Sequence, residues 1–177
     1  MRGVILYGPP AAGKDTVTRN LHELDSRFVL FPRLKAGSGR MEGYRITTDA
    51  EADSIVSSGA VIWENRRYGA RYLIDRPYLL RQAQRAYPVL HLGQVPAVSA
   101  VVRAAPELGW VVVSLWCPRN IAASRIRARA TGDGDARLQA WDETEALPQC
   151  DLFINTNEVT AGEAAKRIMQ LVYGKGE

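Results

Sequence analysis

Nine residues near the start of the chain, Gly8-Pro9-Pro10-Ala11-Ala12-Gly13-Lys14-Asp15-Thr16, constrain the fold more than any other segment. They match the pattern Gly-x-x-x-x-Gly-Lys, whose glycines let backbone N–H groups converge on phosphate oxygens without a Cβ clash. The flanks are those the pattern requires. Gly3 to Tyr7 is a short apolar run that reads as a buried strand, and the spacing from Lys14 to about Asp25 is helical. A helix opening at Lys14 aims the positive end of its dipole at the point where the N–H groups meet. Lys14 then reaches the β and γ phosphates of a nucleotide and offsets charge during transfer. Gly8, Pro9, Ala11, Ala12, Gly13, Lys14, Asp15 and Thr16 are therefore the candidate nucleotide-binding residues, with ATP and Mg²⁺ as the expected ligands. A Ser or Thr usually follows the lysine and its hydroxyl meets the metal. Here Asp15 follows and Thr16 comes one position later, so both are candidate metal ligands, a carboxylate being a good one for magnesium.

The rest of the chain alternates short β-like runs with helical ones. Strands are expected at Phe28 to Leu34, Pro88 to Leu92, Trp110 to Cys117 and Asp151 to Asn155. Helices are expected from a capping-box pattern at Thr48-Asp49-Ala50-Glu51 to Gly59, from Pro77 to about Ala86, and from Val95 to about Ala105. Further ones run from Arg119 to Ala130, from Ala136 to about Ala146, and from a second capping-box pattern at Thr160–Glu163 to about Tyr173. Such alternation implies βαβ units and an α/β fold with three α/β/α layers around a mainly parallel, five-stranded sheet. The stretch from about Lys35 to Ile74 breaks the rhythm. It carries an antiparallel pair at Ala60–Trp63 and Tyr68–Ile74 and is expected to form an inserted lobe.

A chain of 177 residues suits one domain, here with that lobe at about 35–80 and a lid at about 125–140. No apolar run approaches the length of a membrane span, and the N-terminal apolar stretch is too short for a secretory signal. Cys117 and Cys150 make no disulfide framework and no metal-ligand spacing, so two buried thiols in a reducing cytoplasm are expected. The net charge is +4, and since the only lysines are Lys14, Lys35, Lys166 and Lys175, the excess is mostly arginine. Arginine grips phosphate oxygens in pairs, which favours an anionic partner. Beside a phosphate loop that partner is a small phosphorylated molecule rather than nucleic acid or membrane, bound by a monomer or homodimer.

Arg125 and Arg129 share a helix face at i,i+4, and Arg137 follows the Gly132-Asp133-Gly134 loop. Arginines on a short closing segment can cover a transferring phosphoryl group and exclude water, which makes these three candidate catalytic residues with Lys14. In the inserted lobe, Arg33, Lys35 and Arg40 could hold an acceptor's phosphate or equally be solvated charges on a flap; Tyr44 and Tyr68 could hydrogen-bond to that phosphate or pack the flap, and Trp63 could stack on a base or sugar or serve packing alone. His22 and His91 are read as structural.

With those motifs in hand, the chain resembles the guanylate kinase-like branch of nucleoside monophosphate kinases over nearly its whole length. Gly8 to Thr16 is similar to that family's ATP loop, and Arg33, Lys35 and Glu42-Gly43-Tyr44 to the start of its acceptor lobe. Tyr68-Gly69 is similar to its Tyr-Gly signature, and Arg125, Arg129 and Arg137 to its lid arginines. Ile154-Asn155-Thr156-Asn157 is similar to the strand and turn near the adenine, which adds Asn155 to the candidate nucleotide contacts. Trp63, with Glu64 adjacent, stands where a guanine-reading Glu is expected, and Ala70 replaces a hydroxyl residue. The chain also resembles the ribose 1,5-bisphosphate phosphokinases, which share the Gly-Lys-Asp ending of the loop. The resemblance implies a kinase that moves the γ-phosphoryl group of Mg-ATP to the phosphate of a small acceptor, most simply a nucleoside monophosphate. Two other readings stay open: a ribose 1,5-bisphosphate phosphokinase, and a guanylate kinase-like interaction domain without activity. A P-loop GTPase or motor is disfavoured, because there is no Asn-Lys-x-Asp motif and no acidic residue ends a central strand.

Overall fold

A computed structural model describes residues 1–67, 69–129 and 132–174. In chain order the elements are β1 (Arg2–Tyr7), α1 (Lys14–Leu24), β2 (Phe28–Leu30), β3 (Leu34–Gly37), β4 (Arg45–Thr47), α2 (Asp49–Ser57), β5 (Val61–Arg67) and β6 (Ala70–Asp75). There follow α3 (Arg76–Ala83), β7 (Tyr87–Leu92), α4 (Val95–Ala104), β8 (Gly109–Trp116), α5 (Arg119–Arg129), α6 (Gly134–Asp142), β9 (Leu152–Asn155) and α7 (Ala161–Gly174).

β1 lies at the centre of an all-parallel sheet ordered β2-β7-β1-β8-β9. Alternate side chains of a strand point to opposite faces, and this strand is apolar on both. Val4 and Leu6 pack in the layer that holds Val17 and Leu21 of α1 and Ile168 and Val172 of α7. Ile5 and Tyr7 pack on the other face with Leu79 of α3 and Val98 and Val101 of α4. All of these except Tyr7 and Val98 are no more than 1% exposed. At about 25 cal/mol per Å² of apolar surface removed from water, this double-sided burial is what holds the sheet and the loop that leaves it. The fold is therefore the three-layer α/β/α arrangement expected from the alternation.

The inserted segment forms a second, four-stranded sheet ordered β4-β3-β6-β5. β3 and β5 are both antiparallel to β6, and α2 covers one side through Ala52. The helix opens on a complete capping box, with the Glu51 N–H donating to Thr48 Oγ1 and the Thr48 N–H donating to the Glu51 carboxylate. At the base of the lobe, Arg45 pairs with Asp75 and its guanidinium lies 3.8 Å from the Tyr78 ring centre.

Two expectations need correcting, and one strand was not expected. The single strand expected over Phe28 to Leu34 is two. β2 makes its last bond to the central sheet through the Phe31 N–H and the Val89 carbonyl at 2.9 Å, Pro32 has no N–H to continue the ladder, and the chain enters the lobe sheet at Leu34. Strand β4 is too short, and too exposed at Ile46, to show any periodicity in sequence. Cys117 is buried, but Cys150 is exposed in the loop before β9. No helix among the described residues is long and apolar enough to cross a membrane.

Candidate active site

The loop between β1 and α1 is built by backbone geometry. The Gly8 N–H donates to the Leu92 carbonyl at 3.0 Å, which ties the loop to the end of β7. Gly8 also passes so close to β8 that a Cβ there would lie 2.1 Å from the Leu115 carbonyl oxygen. Gly13 is the N-cap of α1 in the left-handed region, at φ 94°. Ala11 is also left-handed, at φ 61°, which costs a residue with a Cβ about 1–2 kcal/mol. The Lys14 ammonium folds back over this loop and donates to the Gly8 carbonyl at 2.6 Å and the Pro9 carbonyl at 2.8 Å. Burial pulls its pKa down to about 8; Asp15 opposes that shift, whereas Arg33 and Arg129 add to it. A cation held in a positive field, with only neutral carbonyls as hydrogen-bond partners among the described residues, is suited to an incoming polyanion.

The loop lies at the floor of a cleft of about 570 Å³ that reaches from α1 to the inserted lobe and to α6. Among the lining residues, lysine and arginine outnumber aspartate and glutamate seven to two. Gly8, Ala11, Ala12, Gly13, Lys14 and Asp15 all face it; Pro9 is buried behind the loop, and Thr16 is exposed outside the lining. Asp15 is thus the candidate oxygen donor for a cation in the cleft. Its carboxylate lies 3.5 Å from Nδ1 of His91, whose Nε2 lies 2.7 Å from the Thr18 hydroxyl. Burial, opposed by Asp15 and reinforced by Lys14, Arg33 and Arg40, pushes the His91 pKa down to about 3.

Across the cleft, Arg33, Lys35, Arg40, Tyr44 and Trp63 line the lobe side. Lys35 is 1% exposed, and its ammonium donates to the Arg40 carbonyl at 2.7 Å. It lies 5.6 and 5.8 Å from the ring centres of Tyr44 and Tyr72, and the Arg33 guanidinium lies 5.8 and 5.2 Å from the same two rings. Cation–π contacts of this kind hold both cations in place without neutralising them. The Trp63 indole N–H donates to Gln94 Oε1 at 3.2 Å.

Glu64 is not in this group. Trp63, Asn65 and Arg67 share the cleft face of β5, so strand alternation turns Glu64 away. There the buried Arg71 guanidinium donates to both of its carboxylate oxygens and also to Asp53 and Asp49. Tyr68 lies outside the described residues.

The three arginines of the expected lid divide. Arg129 and Arg137 line the cleft, Arg137 with its Nε donating to Asp133 at 2.7 Å. Arg125 does not. It donates to the Ala11 carbonyl at 3.1 Å and to the hydroxyl and carbonyl of Thr156 at 2.9 and 2.8 Å, and so joins α5 to the loop and to the turn after β9. Asn155 shapes that turn, its side chain accepting from the Asn157 N–H and donating to Glu158, and it does not line the cleft. Sequence reasoning missed His91, Gln94, Asn65, Arg67 and Tyr72 as cleft residues. The last three could have been found by extending the Trp63 parity along β5 and across to β6, where Asn65 pairs with Tyr72 and Tyr72 with Lys35. His91 gave no signal, because its partners lie on another element.

No protein-family model matches the chain, and no curated protein matches it in sequence. Solved structures do match. The guanylate kinase from Anaplasma phagocytophilum has a TM-score of 0.63 at 20% identity, over 98% of this chain and 85% of that one. A structure designated APE1195 has a TM-score of 0.56 at 16% identity, over 98% and 95%. A gluconokinase from Sinorhizobium meliloti 1021 has a TM-score of 0.50 at 17% identity, over 99% and 98%. At such identities the likeness is one of architecture: the chain has the fold of the P-loop kinases.

Proposed function

We propose that the chain is an ATP-dependent phosphotransferase that moves the γ-phosphoryl group of Mg-ATP to the phosphate of a small phosphorylated acceptor. The observation that carries this reading is Lys35. It is a buried ammonium with a single carbonyl partner and no carboxylate within ion-pairing distance among the described residues, and it faces the same cleft as Lys14. A buried charge without a counter-ion is costly unless a ligand supplies one. Two cationic centres, one on the phosphate loop and one on the lobe, suit a donor phosphate chain and an acceptor phosphate meeting between them.

In this reading the loop N–H groups and Lys14 hold the donor phosphates, and Asp15 supplies a carboxylate oxygen to Mg²⁺, which neutralises phosphate charge when bound. Arg33, Lys35 and Tyr44 hold the acceptor phosphate, with Arg40 at the rim. An acceptor oxygen attacks the γ phosphorus in line as the bond to the β-phosphate oxygen breaks, and ADP leaves. A phosphate oxygen is nucleophilic at neutral pH, so positioning and charge stabilisation from Arg129 and Arg137 supply the catalysis.

Nucleoside monophosphates are the first acceptor class to test, in line with the guanylate kinase-like resemblance. A second reading, ribose 1,5-bisphosphate as acceptor, is favoured by the orientation of Glu64. With that carboxylate held by Arg71, the N–H donors of guanine find no carboxylate on the cleft face of β5. The test is ADP release from Mg-ATP against GMP, dGMP, AMP, CMP, UMP, dTMP and ribose 1,5-bisphosphate, with Lys14→Ala as control. Acceptor-dependent turnover, lost by about 10²-fold or more in the variant, supports the reading. ATP binding without turnover on any acceptor would favour an inactive, interaction-type domain.

A further inference from the structure

Asp15 and Thr18 lie three residues apart on one face of α1, and the His91 ring spans both from β7. His91 thereby links the helix that opens at the phosphate loop to the central strand beside β1, where it pairs in register with Leu6. A neutral imidazole has one N–H and one lone pair, and the bond made by one nitrogen decides which proton the other holds. The Thr18 hydroxyl is nearly buried, and its 2.7 Å contact with Nε2 is short enough for a full hydrogen bond. If the hydroxyl donates there, the single ring proton sits on Nδ1 and faces Asp15. The opposite arrangement would aim a lone pair at a carboxylate.

We propose that His91 is the positioning residue of the phosphate loop: locked by Thr18, its ring directs Nδ1–H at Asp15 and holds that carboxylate in the cleft beside Lys14. The role rests on the reading of the loop as a Mg-ATP site. It also gives Asp15, which stands where a hydroxyl residue is usual, a partner that fixes its direction. Groups that orient a metal-binding carboxylate contribute about 10–100-fold to metal affinity.

Two measurements test this. Imidazole ¹⁵N shifts of the free protein are expected to show a proton on Nδ1 of His91; an Nε2–H tautomer, with Nδ1 bare, overturns the proposal. Calorimetric titration of ATP, in Mg²⁺ and in EDTA, then compares the wild type with His91→Phe, His91→Asn, Asp15→Asn and the Asp15→Asn/His91→Phe double variant. His91→Phe is expected to weaken binding about tenfold in Mg²⁺ and to leave it unchanged in EDTA. His91→Asn, whose amide nitrogen falls near the place of Nδ1, is expected to recover most of the loss. The double variant is expected to bind no more weakly than Asp15→Asn alone. Equal weakening with and without metal, or additive losses in the double variant, overturns the proposal. A wild type that binds no ATP overturns the kinase reading and with it the metal-directed role. Intact wild-type binding that His91→Phe does not change overturns only the role of His91.

Discussion

The Arg125 guanidinium lies 3.1 Å from the carbonyl oxygen of Ala11, a residue held at φ 61° in the phosphate loop. The strained turn is therefore braced by a charged donor from a distant helix, which also grips Thr156 through its hydroxyl and carbonyl. Arg125→Ala is expected to lower stability by about 1–3 kcal/mol, the range for losing hydrogen bonds to a charged group. Arg129→Ala, on the cleft side of the same helix, is expected to leave the melting temperature unchanged and to lower turnover by about 10²-fold. Thermal melts beside steady-state rates separate the two, and equal melting temperatures for both variants would refute the bracing role.

Burial holds the Lys14 pKa down to about 8, and bound phosphates favour its charged form. Below pH 8 the free loop already carries the proton, so ATP affinity is expected to be flat. Above pH 8 binding must take up a proton, and the affinity is expected to fall by up to about tenfold per pH unit until the raised pKa of the complex is reached. Calorimetry between pH 6.5 and 9.5 reads the inflection, which should be absent in Lys14→Arg because arginine keeps its charge.

A methyl group at position 8 has no room beside the Leu115 carbonyl. Gly8→Ala is expected to cost about 1–3 kcal/mol of stability by displacing the loop from β8. Its ATP affinity should fall further than the stability loss alone explains, because the displaced N–H groups no longer converge. A variant with wild-type affinity would show that the loop can shift as a unit without losing its geometry.

Arg71 gathers Glu64, Asp53 and Asp49 on the side of the lobe turned away from the cleft. Arg71→Ala leaves three carboxylates without their common cation. Hydrogen exchange is expected to quicken across residues 34–75 and to stay unchanged in β1 and β8. Acceptor affinity should fall more than ATP affinity. A uniform rise in exchange across the chain would mean that Arg71 supports the whole domain rather than the lobe.

What the sequence determined by itself is what neighbouring residues decide. The glycines and Lys14 of the loop, the two-sided apolar runs of the central strands and the Thr48–Glu51 capping box act within a few residues of one another, so their geometry follows from spacing. The break at Pro32 was legible in principle, since a missing N–H ends a ladder, but only the position of the second sheet shows where the chain goes next. Tertiary structure alone decided which of Trp63 and Glu64 faces the cleft, because parity along β5 has meaning only once α2 and Arg71 occupy the other face. It alone separated Arg125 from Arg129, which spacing puts on one helix face but which end against different neighbours. It alone gave His91 its partners, because a hydrogen bond between β7 and α1 depends on two elements meeting in space and leaves no local pattern in the chain.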